Sequence, residues 1–156
     1  MTAGYYIKTV SGPSRLSGQD EAIMWEDLET IKQSRETLEP TEFIKLLAED
    51  AVYESQNVLD PLVGKSKISD YLIKRYKFFN TVDDKTKLGE FCYAYIDLPE
   101  GKNYPCLLII ANDERQAIWT ISLNTEKKIS RVDILPVAPQ PNEATILKKL
   151  TRSRKD

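Results

Sequence analysis

LEPTEFIKLLAEDAVYESQNVLDPLVGKSKISDYL, residues Leu38 to Leu72, contains the order of elements that decides the architecture. Pro40 suits the first turn of a helix, in which Phe43 and Leu47, and likewise Ile44 and Ala48, stack four apart. Ala51 to Gln56 alternates as a strand, with Ala51, Tyr53 and Ser55 on one side and Val52, Glu54 and Gln56 on the other. Asn57 to Gly64 reads as loop. Ser66 then offers an N-cap to a second helix over Lys67 to Phe79, with apolar residues at Ile68, Leu72 and Ile73. That helix ends in aromatic residues, Tyr71, Tyr76, Phe78 and Phe79, which suits a lid over a sheet.

Upstream, residues 1–18 hold three glycines and a proline and read as a loosely ordered arm, although Tyr5, Tyr6 and Ile7 could add an edge strand. From Gln19 the pattern turns helical: Met24, Leu28, Ile31 and Arg35 fall at spacings of four, three and four, with Asp20, Glu21 and Glu26 early, where the helix dipole favours acids. Downstream of the polar run Asn80 to Lys87, the chain reads as four strands: Leu88 to Leu98, Tyr104 to Ala111, Gln116 to Leu123 and Lys128 to Leu135. Short turns at Pro99, Asn112 and Asn124 make them an antiparallel meander. A helical first half before such a meander predicts an α+β fold. Pro136, Pro139 and Pro141 close the sheet, and Asn142 to Leu150 could form a short helix with Ile146, Leu147 and Leu150 on one face. The expected division is an arm over 1–18, one domain over 19–136, and a Pro-rich, then basic tail over 137–156.

The order helix, helix, strand, helix, four long strands resembles the nuclear transport factor 2-like superfamily, its SnoaL-like group. LLAEDAVYES resembles that family's helix-to-strand entry, PLVGKSKISDYL its glycine-led helix, and IWTISLN with KISRVDIL its last hairpin. The resemblance implies a cone-shaped, curved antiparallel sheet (a cystatin-like α+β roll) packed against about three N-terminal helices. It also implies a pocket for a small, largely apolar molecule, and an outer sheet face that pairs two copies as a homodimer. Enzymes of this kind are metal-independent lyases and isomerases, dehydratase- or cyclase-like, which work with carboxylates and tyrosines aimed into the pocket and need no cofactor. Many also use a histidine or a paired aspartate.

Composition narrows the chemistry. The 156 residues are 41% apolar and 29% charged, as in an ordinary globular domain. No stretch resembles the apolar core of a secretory leader, and no run approaches the roughly 18 apolar residues of a membrane span. The expected setting is the cytoplasm. The net charge of -2 argues against a general nucleic-acid surface. Charge is uneven, however: Asn142 to Asp156 carries five Lys or Arg against two acids, which reads as a solvated tail or as an amphipathic segment that docks on a partner protein. There is no histidine, so Ser-His-Asp triads, Cys-His dyads and the usual zinc sites are excluded. Cys92 and Cys106 read as buried, reduced thiols on paired strands, with a redox pair as the alternative. No phosphate loop, nucleophile elbow or metal spacing is present.

Two candidate catalytic residues remain. Asp133 shares a strand face with Ile129, Arg131 and Leu135, while Ser130, Val132 and Ile134 take the other; either face could line the pocket. With Asp133 inward it becomes a general base, and Tyr53, on the first strand, an electrophile. With Val132 and Ile134 inward, Arg131 and Asp133 form a solvated pair. Trp119, Ile121, Tyr93 and Tyr71 are the expected pocket-lining residues. The absence of histidine favours a binding or interaction module over an enzyme.

Overall fold

The computed structural model describes residues 6–7, 18–55, 58–84, 88–97, 103–111 and 114–136. In chain order the elements are β1 (Tyr6–Ile7), α1 (Gly18–Thr37), α2 (Thr41–Lys45), β2 (Leu47–Ser55), β3 (Leu62–Val63), α3 (Lys65–Asn80), β4 (Glu90–Asp97), β5 (Asn103–Ala111), β6 (Glu114–Leu123) and β7 (Ile129–Pro136). All seven strands share one sheet, ordered β1-β4-β5-β6-β7-β2-β3. The expected α+β architecture of three helices on a mostly antiparallel sheet is the one observed. β4 to β7 form the meander, and Tyr6–Ile7 adds the edge strand opposite Asp97 and Ile96. The helix expected over 142–150, the tail and the turns after Leu98 and Ala111 lie outside the described residues.

Three local expectations need correction. The second helix stops at Lys45, and Leu47 and Ala48 belong to β2. Their i,i+4 spacing is overridden by tertiary pairing: β2 lies parallel to β7, and the Ile129 amide donates to the Leu46 carbonyl. That parallel contact, which makes the sheet mixed, joins the N-terminal half of the chain to its last strand. Leu62–Val63, expected as loop, pairs with Val52 and Tyr53 as a short edge strand. Finally, α3 begins at Lys65, and its N-cap is Gly64, not Ser66. Gly64 has φ 104, a conformation that side chains with a Cβ resist, and its amide donates to the Ala51 carbonyl at 2.7 Å.

α1 ends in a Schellman turn. Leu38 adopts φ 58, and the Glu39 amide reaches back to the Ser34 carbonyl at 3.0 Å. The predicted stripe Met24, Leu28 and Ile31 is buried, and α1 packs on β5 and β6 while α3 packs on β2 and β3. Ile68, Leu72, Tyr76 and Phe79 form the buried face of α3. Between helices and sheet lies the main core, which Phe43, Tyr53, Tyr93, Leu107, Trp119, Ile121 and Val132 complete from the strands and α2. Truncating one such side chain to Ala costs about 2–5 kcal/mol. A second apolar cluster, Ala94, Ile96, Cys106, Leu108 and Ile118, contains no helical residue and occupies the opposite face of β4, β5 and β6. These residues are at most 1% exposed. Cys92 and Cys106 are both buried, and burial pushes the Cys106 thiol up, away from reactivity. No described helix is long and apolar enough to cross a membrane.

Candidate ligand cavity

Where α3 passes over β2 and β6, the core leaves a cavity of about 170 Å³. An apolar protein cavity of about 150 Å³ is large enough to take up benzene. Its wall comes from α1 (Arg35), α3 (Tyr71, Leu72, Arg75, Tyr76, Phe79), β2 (Tyr53) and the sheet residues Ile109, Ala117, Trp119 and Ile134. Period two in each strand is what aims these residues inward. Tyr53 stands opposite Val132, which in turn stands opposite Ile121, all on the helix-facing side.

The polar groups of the wall are two guanidiniums and an indole, which only donate, and three phenols, which donate and accept. Tyr53 is 3% exposed, and burial raises its phenol well above the ordinary value, with neighbouring Tyr71 and Tyr76 and a hydrogen bond to Tyr71 adding to the effect. Its ring lies 5.3 Å from that of Tyr71 and 6.1 Å from that of Trp119. Burial likewise raises the Tyr76 phenol, which shares a hydrogen bond with Ser34 at 3.3 Å. Both phenols are therefore neutral at physiological pH. Arg35 lies with its guanidinium carbon 4.5 Å from the centre of the Phe79 ring and 5.4 Å from that of Phe91. One of its amino groups donates to the Leu88 carbonyl at 2.6 Å. Burial, and then the like charge of Arg75, lower its pKa, while Tyr76 and Tyr53 act the other way; a guanidinium so placed remains a cation. Among the described residues, two buried N–H groups of this wall's side chains have no hydrogen-bond partner: Arg35 Nε and Trp119 Nε1.

The structure separates the two candidate catalytic residues. Glu54, Asp133 and Thr120 are paired across β2, β7 and β6, one residue out of step with Tyr53 and therefore on the other face of the sheet. Asp133 there accepts two hydrogen bonds from Arg131 Nε at 3.0 Å, and Arg131 also binds Glu54. Asp133 and Arg131 form the solvated pair, with Val132 and Ile134 inward. Of the expected lining residues, Trp119 and Tyr71 line the cavity. Ile121 is buried in the same core without lining it, and Tyr93 packs edge-on against Trp25 with ring centres 5.7 Å apart. Among the described residues no three of His, Cys, Asp and Glu lie close enough to hold a metal ion.

No sequence-family model matches the chain, and no curated protein matches it. Solved structures do. A SnoaL-like protein of unknown function from Burkholderia thailandensis superposes with TM-score 0.51 over 76% of this chain and 97% of its own, at 8% sequence identity. This chain has the nuclear transport factor 2-like fold. A steroid delta-isomerase from Pseudomonas aeruginosa aligns over 80% of this chain and 84% of its own, with 16% identity and TM-score 0.49. The Anabaena orange carotenoid protein binding canthaxanthin aligns over 85% of this chain and 39% of its own, with 15% identity and TM-score 0.47. The match to the SnoaL-like protein, at 8% identity, shows the fold and nothing of the chemistry.

Within that fold, sequence reading did not single out Arg35, Arg75, Tyr76 and Phe79 as pocket residues. One signal was present: Arg35 continues the Met24, Leu28, Ile31 stripe, so a cation occupies a position on the buried face of its helix. Nothing in the sequence distinguishes Arg75 from the other charged residues of α3. Asp27 was also missed. It is 7% exposed, and burial, then Glu26, raise its carboxyl to about 6 against the opposing effect of Lys128.

Proposed function

We propose that this protein is a small-molecule-binding module, and that the cavity beneath α3 receives a small, largely apolar ligand. The observation that carries this reading is the wall itself. Tyr53, Tyr71, Tyr76, Phe79 and Trp119 offer flat apolar surface interrupted by a few convergent polar groups, the usual make-up of a ligand pocket. The alternative is a metal-independent lyase or isomerase, in which the neutral Tyr53 phenol would donate to a developing oxyanion. Against that reading, no Asp or Glu among the described residues lines the cavity to serve as a base. Binding is therefore the function adopted. Two copies are proposed to pair, as the fold resemblance implies. Leu59 and Val63, 99% and 58% exposed beside the β3 edge, support a contact there, and light scattering over a concentration series distinguishes monomer from dimer.

The test is calorimetric titration of planar aromatic molecules, neutral and charged, into the wild type and into Ala117→Phe, which fills the cavity. Saturable binding to the wild type and its loss in a folded Ala117→Phe protein is the expected result. Equal binding to both would move the site elsewhere.

A further inference from the structure

We propose that the molecule taken up by this cavity is an acid: a planar apolar body carrying one carboxylate, whose oxygens are received by Arg35. This inference rests on the binding reading above and names the ligand class for that site. It comes from the balance of donors and acceptors in the wall. Among the described residues that line the cavity, two guanidinium groups and one indole only donate, three phenols donate or accept, and none is a carboxylate. A ligand entering such a wall must bring acceptors for the donor-only groups, Arg35, Arg75 and Trp119.

Arg35 is the centre of the argument. It sits on the stripe of α1 that otherwise buries Met24, Leu28 and Ile31, sandwiched against Phe79 and Phe91. Among the described residues no carboxylate pairs with it. Of the five N–H donors of a guanidinium, the one hydrogen bond found goes to the Leu88 carbonyl, and Nε is buried without a partner. Arg75 adds a second cation to the same wall, 4.9 Å from the Phe79 ring centre, and its like charge disfavours that of Arg35. Trp119 adds a further buried donor without an acceptor. Native structures rarely leave buried donors unmet or a buried cation uncompensated, because each costs free energy that a partner would recover. A carboxylate matches the planar guanidinium in shape and charge. It neutralises the two-cation wall, while an aromatic or conjugated body attached to it packs on Tyr53, Tyr71 and Trp119. A bare inorganic anion fills the charge requirement and leaves the apolar wall empty.

The decisive experiment compares cinnamate with cinnamamide, two probes of the same shape that differ in charge, by calorimetry on the wild type, Arg35→Met and Arg35→Lys. The expected result is a preference for cinnamate of about tenfold or more, the range of a hydrogen bond to a charged group. Arg35→Met should abolish that preference while retaining cinnamamide binding, and Arg35→Lys should keep part of it. Equal affinity of the wild type for both probes overturns the acid inference and leaves the binding reading standing. Failure of both probes overturns the binding reading as well. A preference that survives Arg35→Met assigns the anion to another group and overturns the role of Arg35. Should Arg35→Met fail to fold, the wild-type ratio and the Arg35→Lys ratio still decide.

Discussion

The two faces of β2, β7 and β6 differ by a single step along each strand and behave as different materials. On the helix side stand Tyr53, Val132, Trp119 and Ile134, with exposures of 0–7%. On the other side Glu54, Arg131 and Asp133 form a half-exposed ionic cluster. The first face is apolar, carries neutral hydroxyl and indole donors, and meets the cations Arg35 and Arg75 across the cavity. The second holds the carboxylates, paired and in contact with water. Along β2, β7 and β6 the pleat thus keeps the described carboxylates off the aromatic face.

The sharpest way to break this contrast is to truncate the inner face. Trp119→Ala should cost about 3–5 kcal/mol in denaturant unfolding, because an almost fully buried ring in contact with Phe43, Tyr53 and Phe91 leaves a void. A loss below about 1 kcal/mol would mean that the cavity region is loosely packed. Gly64→Ala comes next, at about 1–3 kcal/mol, since φ 104 at the turn into α3 strains any residue with a Cβ. It should loosen the helix that roofs the cavity and so weaken probe binding together with stability.

Asp27 sharpens the comparison by supplying a carboxyl on a buried helix face. Its folded value of about 6 lies above the ordinary value of 3.8, so the folded protein holds this proton more tightly than the unfolded chain does. The resulting stabilisation is complete below the unfolded value and is lost as pH rises through about 6. Asp27→Asn should therefore raise the stability relative to wild type by about 1 kcal/mol above neutral pH, after allowance for solvent screening, and leave it unchanged near pH 4. Thermal unfolding at the two pH values checks this; a pH-independent difference would remove the titration account. The smallest effect belongs to the outer face. Asp133→Asn should cost less than about 1 kcal/mol, shrink further in high salt, and leave probe affinity within about twofold. A large loss of binding in that variant would connect Asp133 to the cavity after all.

Legibility followed the range of the interactions involved. The α1 stripe, the alternation in β2 and the meander were readable because each depends on local periodicity. The early end of α2 was not, because Phe43, Ile44, Leu47 and Ala48 satisfy a helical pattern and only pairing of β2 with β7, far along the chain, draws Leu47 and Ala48 into the sheet. The N-cap was misread for a related reason: Ser66 has the better capping chemistry, but the backbone turn at Gly64, tied to Ala51, starts the helix sooner.

The candidate site divided in the same way. The sequence alone determined the α+β class, the absence of histidine chemistry, the two alternating faces of β7, and the presence of Tyr53, Tyr71 and Trp119 as aromatic wall material. It also placed Arg35 on an apolar stripe. Only the tertiary structure decided which face of β7 turns inward, that Asp133 and Tyr53 lie on opposite sides of the sheet, and that Arg35 and Arg75 meet one cavity. The physical reason is that a side-chain period of two fixes which residues travel together but not which set is buried. That choice is made by whichever face of the assembled sheet the helices cover.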